Sequence, residues 1–243
     1  MMIVGSELVA LLEVNIQQAG YQLNKGTITN IDFSIGQGEL LGMIGANGAG
    51  KSTTIKAILD ELPFVEGEIL KEQGRKLSYI PERPLYYQEL TLWEHFEFVA
   101  AVEELEEETL HYAKDILRKF RLSAHLHEFP GNFSKGMQQK GMLALALFTK
   151  PDLLIIDEPF MGLDPGSTKL LLDLLEEERS KGKGILMCTH ILDTAQRMCD
   201  SFIIIENGRM KAKGDLSEVL QQCGAADGSL YSCLDLEDEE DEE

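Results

Sequence analysis

The chain contains the stretch Gly45-Ala46-Asn47-Gly48-Ala49-Gly50-Lys51-Ser52, which has the G-x-x-x-x-G-K-S spacing of a phosphate-binding loop. Its glycines allow backbone N–H groups to turn toward phosphate oxygens at dihedral angles that a Cβ would disfavour. We expect Lys51 to contact the β- and γ-phosphates and the Ser52 hydroxyl to bind Mg²⁺. The stretch therefore predicts a site for a nucleoside triphosphate with Mg²⁺.

The residues on either side fit this prediction. The apolar run 40–44 is typical of a buried strand, and 53–59, which begins at Thr53, is typical of a helix. The N-terminus of such a helix has a partial positive charge that favours phosphate. The alternative interpretation is a glycine-rich turn with a chance lysine. The position of the glycines, Lys51 and Ser52 directly between the predicted strand and the predicted helix argues against it.

Composition and charge narrow the class of protein. With 243 residues the chain can form one domain with a substantial core. Its net charge of −20 argues against a nucleic-acid partner, because such partners are bound largely through cationic contacts. Eight of the nine residues in 235–243 are acidic, which predicts a disordered tail. No apolar run reaches the ~20 residues of a membrane span, so we expect a cytosolic chain.

A second element pairs an apolar strand with two carboxylates. The run 153–156 is apolar and is followed at once by Asp157 and Glu158. A carboxylate at the end of a buried strand is costly unless it meets a cation or a donor. We expect Asp157 to hold Mg²⁺ through its water shell and Glu158 to orient or deprotonate the attacking water. A strand that runs into an acidic turn is the alternative.

The rest of the chain indicates a mixed α/β organisation. Apolar residues recur at helical spacing between Thr91 and Lys150, which predicts a helical insertion. The apolar run 184–189 suits a parallel sheet covered on both faces. Asn207-Gly208 predicts a hairpin turn, and Asp215 with Glu218 predicts the start of a short helix.

Three further motifs carry a resemblance to a known family. The stretch 132–140 contains Phe133-Ser134-Lys135-Gly136-Met137, which resembles the Leu-Ser-Gly-Gly-Gln signature of ATP-binding cassette (ABC) ATPases. Gly162-Leu163-Asp164-Pro165 resembles the D-loop of that family, and Thr189-His190 resembles its switch histidine. Tyr21 resembles the aromatic residue that stacks on adenine. The resemblance extends over about residues 8–222.

The resemblance implies a fold and a domain organisation. The fold is that of an ABC-type P-loop NTPase: a mostly parallel core sheet with helices, an N-terminal antiparallel β subdomain and an inserted α-helical subdomain. Residues 1–234 would form this domain, and about 83–150 would form the helical subdomain that bears the signature.

The resemblance also implies how the site works. Two cassettes pack head to tail, so that ATP lies between one phosphate loop and the signature of the partner. Ser134 and the Gly136 N–H would then reach the γ-phosphate of the partner's ATP. His190 would contact the same phosphate and position the water, Tyr21 would stack on adenine, and Asp164 would belong to the nucleotide site. Loss of the γ-phosphate would open the dimer.

Several positions depart from the family pattern. Glu82 stands where a glutamine usually ligates Mg²⁺, and a carboxylate retains that ability while adding negative charge. In the signature, Lys135 replaces a glycine and Met137 replaces the glutamine, and Met161 replaces the serine that usually opens the D-loop. Bacterial Ecs-type, ABC-2-like exporter ATPases are the members that the chain most resembles, on the stretches Pro81-Glu82-Arg83-Pro84, Leu90-Thr91-Leu92-Trp93-Glu94-His95 and Phe133-Ser134-Lys135-Gly136-Met137.

The sequence thus predicts an ATP-hydrolysing subunit that drives a separately encoded membrane permease. Its expected partners are that permease and a second ATP-binding subunit, identical or not, and its expected location is the inner face of the cell membrane. Two alternatives stay open: a soluble ABC ATPase without a transport role, and a regulatory module that hydrolyses ATP weakly.

Overall fold

The computed structural model describes residues 10–106 and 108–234. The predicted acidic tail, 235–243, lies outside the described residues, as do residues 1–9 of the predicted domain. The strands are β1 (Ala10–Gly20), β2 (Ile28–Gly36), β3 (Leu40–Ile44), β4 (Phe64–Lys71), β5 (Leu77–Ile80), β6 (Leu153–Asp157), β7 (Gly184–Cys188), β8 (Ser201–Glu206) and β9 (Arg209–Gly214). The helices are α1 (Lys51–Ile58), α2 (Leu92–Val102), α3 (Thr109–Lys119), α4 (Lys135–Phe148), α5 (Pro165–Ser180), α6 (Leu192–Met198) and α7 (Leu216–Cys223), with short 3-10 turns at Ser123–His125, Pro130–Asn132 and Leu230–Cys233.

The described chain divides into two compact units. The first comprises 10–72 and 186–234, and the second comprises Gln73–Ile185. The chain returns from the second unit to the first within β7. The phosphate loop and His190 therefore belong to the first unit, whereas Asp157, Glu158 and the signature belong to the second.

The first unit contains both antiparallel and parallel pairing. Its strands follow the order β4-β1-β2-β9-β8-β3. β1 pairs antiparallel with β2 and with β4, whereas β3 pairs parallel with β8 through four residue pairs, from Leu41 with Ser201 to Ile44 with Ile204. The side chains of Leu12, Val14 and Ile16 alternate toward the core of this unit, as period-2 patterning requires.

The edge strand β4 was not predicted, because most of its residues are exposed and it lacks an apolar pattern. Its register with β1 shifts between Ile16 and Gln18, which is a bulge. Gly67 lies opposite, with φ of +132°, and a Cβ there would lie 2.1 Å from the Asn15 carbonyl oxygen. The bulge therefore requires glycine at this position.

Two local predictions in the first unit are confirmed. Asn207 and Gly208 both have positive φ, +50° and +74°, as the type I′ turn between β8 and β9 requires. α7 begins with a capping box, in which Asp215 accepts the Glu218 N–H and the Glu218 carboxylate accepts the Asp215 N–H. α7 then buries Val219 in a cluster with Leu230 and Cys233 of the C-terminal 3-10 turn.

The second unit combines parallel strands with helices. β5 and β6 pair in parallel register from Leu77 with Leu153 to Ile80 with Ile156. Helices α2, α3 and α4 fall within 83–150, the range predicted for the helical subdomain, whose bounds stay a prediction. The buried rings of Phe96 and Phe148 join α2 to α4 edge to face, with centroids 5.2 Å apart. Among the described residues, no helix is long and apolar enough to cross a bilayer.

Candidate functional site

The phosphate loop connects β3, which is buried throughout, to α1. Gly48 and Gly50 have φ of +80° and +118°, which only glycine adopts readily. A Cβ on Gly50 would also approach the Ile28 Cγ2 atom to 2.8 Å. Because Gly50 occupies the N-cap position, helix α1 begins at Lys51, two residues before the predicted start. The first-turn amides of α1 therefore belong to the loop itself, as phosphate binding requires.

The β8–β9 hairpin also holds the loop in place. The Gly208 N–H donates to the Ala49 carbonyl at 2.8 Å. A Cβ on Gly45 would lie 2.4 Å from the Ile205 carbonyl oxygen. Gly45 is thus required for close backbone packing, and the exposed residues Ala46, Asn47 and Gly48 form the solvent side of the loop.

Lys51 holds its cation against this loop. The side chain is only 7% exposed, and Nζ donates to the carbonyls of Gly45 at 2.7 Å and Ala46 at 3.1 Å. These bonds fix the ammonium beside the loop amides, where a bound triphosphate would place its charge. Ser52 is exposed in the first turn of α1, and Thr53 is buried.

Tyr21 lies beside the first turn of α1. Its hydroxyl is 3.5 Å from Thr53 Oγ1, and Lys56 Nζ lies 5.2 Å from the centre of its ring. The ring is 51% exposed. The structure therefore brings Tyr21 together with Thr53, and the ring retains exposed apolar surface on which a planar base can stack.

His190 follows β7 directly and is exposed. The preceding Thr189 is fully buried, and its Oγ1 accepts the Ile191 N–H at 3.1 Å. This short bond fixes the turn between β7 and α6 on both sides of His190. The side chain is thus presented from the end of a buried strand.

Asp157 and Glu158 lie at the end of β6 and are 5% and 7% exposed. Glu158 has φ of +50°, a left-handed backbone conformation that is unusual for a residue with a side chain. Such strain costs on the order of 1–3 kcal/mol and concentrates at functional sites. This conformation could not be predicted from the sequence, which shows only an acidic residue before proline.

The signature residues form the N-terminus of α4. Ser134 is the N-cap, and its Oγ accepts the Met137 N–H at 3.3 Å. A Cβ on Gly136 would lie 2.7 Å from the Gly162 carbonyl oxygen. The structure therefore brings Gly136 against the turn that follows β6, a contact that the sequence did not reveal.

Asp164 ends that turn as the N-cap of α5. Its carboxylate accepts the Ser167 N–H at 3.0 Å and the Ser167 hydroxyl at 2.6 Å, and these two donors lower its pKa. Lys140 of α4 places Nζ 3.9 Å from the same carboxylate. Within the second unit, α4 thus contacts the turn after β6 through Gly136 and Gly162, and the N-cap of α5 through Lys140 and Asp164. Gly162 and Lys140 were not among the predicted site residues.

Glu82 is exposed on the loop after β5. Among the described residues, no group of three or more histidine, cysteine, aspartate or glutamate residues forms a metal site by itself. Each unit nevertheless contains oxygen groups of the kind that Mg²⁺ prefers: the Ser52 hydroxyl in the first unit, and the carboxylates of Asp157 and Glu82 in the second. The roles of all these residues stay predictions.

Comparison with known proteins identifies the family. The family model described as ABC transporter matches residues 28–161. The ABC transporter ATP-binding protein YthP of Bacillus subtilis is 49% identical over 225 residues, which cover 92% of this chain and 95% of YthP. EcsA of the same organism, an ABC-type transporter ATP-binding protein, is 42% identical over 233 residues, covering 91% of this chain and 94% of EcsA.

A solved structure agrees with the sequence relatives and confirms the predicted fold class. The ATP-binding subunit of an ABC transporter superposes with a TM-score of 0.86 at 44% identity, covering 92% of this chain and 97% of that chain. Both the parallel pairing and the N-terminal antiparallel strands described above are part of this fold. The chain therefore belongs to the ABC transporter ATP-binding proteins, a family whose members bind and hydrolyse ATP.

Proposed function

We propose that this chain is the ATP-hydrolysing subunit of a transporter whose membrane permease is a separate polypeptide, and that two cassettes enclose each ATP. The observation that carries the hydrolytic part is the buried Glu158 in a left-handed backbone conformation directly after Asp157. A carboxylate held in this way at a strand end is suited to accept a proton from the attacking water.

The phosphate loop binds the triphosphate of ATP in this proposal. The amides of the first turn of α1 contact the phosphates, Lys51 binds the β- and γ-phosphate oxygens, and Tyr21 stacks on adenine. Ser52 and Asp157 would hold Mg²⁺, with Glu82 as a further oxygen donor. When bound, Mg²⁺ neutralises charge on the β- and γ-phosphates.

Glu158 orients the attacking water and takes its proton, while His190 contacts the γ-phosphate and positions the same water. The oxygen of the water bonds to the γ-phosphorus as the bond to the β,γ-bridging oxygen breaks, which yields ADP and inorganic phosphate. Loss of the γ-phosphate then weakens the contact between the two cassettes, because that phosphate is their shared ligand.

The exposed N-terminus of α4 supports the composite site. Ser134 and the Gly136 amide would bind the γ-phosphate held by the loop of the partner cassette, and Asp164 would lie at the same boundary. A cassette that presents these groups at its surface lacks half of its own site, which is why we propose a dimer.

A groove of about 510 Å³ in the second unit supports the permease as partner. The residues around it include exposed apolar side chains, among them Tyr87 at 58% and Phe129 at 45%. Its lining is formed by Pro84, Tyr86, Tyr87, Gln88, Phe129, Gly131, Asn132 and Gln138. Exposed aromatic surface of this kind marks interaction sites, and an amphipathic segment of a permease would fill it. The chain would then lie at the cytoplasmic face of the membrane.

The test of hydrolysis is the Glu158→Gln variant of the full chain, with Glu176→Gln on the exposed side of α5 as the matched control. The variant should retain ATP binding and lose at least 100-fold in steady-state hydrolysis, since general base catalysis contributes ~10²–10⁴-fold. Unchanged turnover would remove Glu158 as the base.

Purification from detergent-solubilised membranes should recover a multi-spanning partner. Its absence would favour the soluble alternative, and hydrolysis that stays weak with membranes would favour the regulatory one.

A further inference from the structure

Two free cysteines, Cys223 and Cys233, lie together in the first unit. Cys223 is the last residue of α7, and Cys233 is the last residue of the C-terminal 3-10 turn. Cys223 packs against the apolar cluster that contains Cys233, and the thiols of the two residues share a hydrogen bond. The fold thus places one sulfur beside the other, as the formation of a disulfide requires.

Hydrogen bonds hold the segment between the two cysteines in place. Gly224 ends α7 in a left-handed conformation, with φ of +70°. The Asp227 carboxylate accepts the Ser232 hydroxyl at 2.8 Å, next to Cys233 in sequence. From α6, Gln196 Nε2 donates to the Gly228 carbonyl at 3.1 Å. Because the segment is tied to itself and to α6, the contact between the thiols is part of the folded structure.

The two thiols differ in their access to solvent. Cys233 is fully buried, whereas Cys223 is half-buried at the end of α7. Burial also raises the pKa of Cys233 to about 12, which makes its sulfur unreactive toward reagents in solution. A small oxidant therefore reaches Cys223 first, and Cys233 reacts with the sulfur beside it.

We propose that this pair is a redox site, in which a peroxide converts Cys223 and Cys233 into a reversible disulfide. The Cys223 thiolate attacks one oxygen of hydrogen peroxide, the O–O bond breaks and hydroxide leaves, which gives a sulfenic acid. The Cys233 sulfur then attacks the sulfenic sulfur, and the S–O bond breaks as the hydroxyl leaves with the Cys233 proton as water. The two sulfurs are thereby oxidised, and one peroxide is reduced to water. A thiol reductant reverses the reaction by thiol–disulfide exchange.

The disulfide protects the sulfurs from irreversible damage. A sulfenic acid that meets no thiol is oxidised further to a sulfinic acid, which thiol reductants do not restore. Cys233 captures the sulfenic acid of Cys223 within the folded chain, where no diffusion is needed and the effective concentration of the thiol is high. The pair therefore resembles a peroxide-reactive cysteine with its resolving partner in chemistry.

The experiment treats the folded full chain with hydrogen peroxide, blocks the remaining thiols with iodoacetamide in urea and maps tryptic peptides by mass spectrometry. The last basic residue is Lys213, so that both cysteines stay in the peptide 214–243. This peptide should lack two hydrogens and carry no alkyl group, and dithiothreitol should restore both thiols. In Cys233→Ala, sulfinic acid at Cys223 should increase roughly tenfold or more, because the intramolecular capture is lost. If Cys233→Ala does not fold, Cys223→Ala serves in its place, and the buried Cys233 should then stay a free thiol.

Cys199→Ala is the matched control. Cys199 packs against the same cluster, but a Cβ on Gly42 of β3 would lie 2.9 Å from its Sγ, so this thiol lies against β3. The variant should give the same yield of disulfide in 214–243 as the unchanged chain. A yield that is lost with Cys199, or sulfinic acid at Cys223 in place of the disulfide in the unchanged chain, would overturn the proposal.

A comparison with the unfolded chain separates the effect of the fold from that of sequence spacing. Cys188 and Cys199 are eleven positions apart, and Cys223 and Cys233 are ten apart, so the two pairs should form disulfides about equally readily in urea. In the folded chain, where Cys188 is buried in β7, the second pair should exceed the first roughly tenfold or more. Equal amounts of the two disulfides in the folded chain would show that the fold does not select the pair, and the proposal would be wrong.

Discussion

Replacing Gly136 by alanine should destabilise the protein, although alanine is the better helix former. The added Cβ would lie 2.7 Å from the Gly162 carbonyl oxygen, closer than such atoms approach in folded proteins. The turn cannot yield easily, because the Met161 N–H donates to the Glu158 carbonyl and the Leu163 N–H donates to the Phe160 carbonyl. Overpacking of this kind typically costs about 1–3 kcal/mol.

The gain from helix propensity opposes this cost but does not exceed it. Glycine to alanine within a helix gains at most about 1 kcal/mol. Because the added Cβ would meet a backbone oxygen and not the end of a flexible side chain, the overpacking cost falls in the upper part of its range, about 2–3 kcal/mol. Subtraction of the helix-propensity gain leaves a net loss of about 1–2 kcal/mol, which lowers the melting temperature of a chain of this size by about 2–8 °C. The unfolding of Gly136→Ala and the unchanged chain should be followed by circular dichroism at matched protein concentration.

Gly131 provides the matched control, since it lies close by in sequence and a Cβ there meets nothing within 4 Å. Gly131→Ala should leave the melting temperature unchanged or raise it slightly, by reducing the freedom of the unfolded chain. A melting temperature of Gly136→Ala equal to or above that of the unchanged chain would refute the reasoning. It would show that the contact between Gly136 and Gly162 places no constraint on this position.

Four further predictions concern stability and reactivity. Phe96→Ala should cost about 3–5 kcal/mol, because the ring is fully buried against Phe148, whereas Phe98→Ala two residues later, at 43% exposure, should cost far less; equal losses in urea unfolding would contradict the packing. Thr91→Ala removes the cap of α2 and should cost about 1 kcal/mol by thermal melting. The Thr91 amide and hydroxyl donate to the Glu94 carboxylate and lower its pKa, so the ionised carboxylate stabilises the fold above the unfolded pKa of about 4.3, and this stabilisation is lost as pH falls through the lower folded pKa. Glu94→Gln should therefore flatten the decline of the melting temperature below pH 5. An unaltered dependence of the melting temperature on pH would count against this prediction. Burial raises the pKa of Cys233 to about 12, so iodoacetamide at pH 8 should modify this buried thiol more slowly than the half-buried Cys199, as mass spectrometry can measure; comparable rates before unfolding would disprove this.

The local conformation of the phosphate loop in the candidate site could be predicted because phosphate binding prescribes residue types at fixed spacing. The loop from Gly45 to Ser52 needs glycines for its dihedral angles, and those angles are present at Gly48 and Gly50. The Asn207-Gly208 turn and the capping box of Asp215 were predictable for the same reason, since each depends on a few adjacent residues.

Features that depend on tertiary contact could not be predicted. The close contact between Gly136 and the Gly162 carbonyl joins residues that are distant in sequence, and neither residue type alone indicates this contact. The left-handed conformation of Glu158 is imposed by its surroundings against the preference of the residue. The strand β4 escaped prediction because an exposed edge needs no apolar alternation.

The edge strand β4 also affects how readily copies of the protein aggregate. An unpaired strand edge is a template on which further chains can add and aggregate. β4 counters this with the charges of Glu66, Glu68 and Lys71 and with the bulge at Gly67, which interrupts a regular ladder. We expect these features to make copies of the chain less prone to join edge to edge into fibrous polymers. The same glycine that permits a local bend thus helps to keep an exposed sheet from becoming the start of an aggregate.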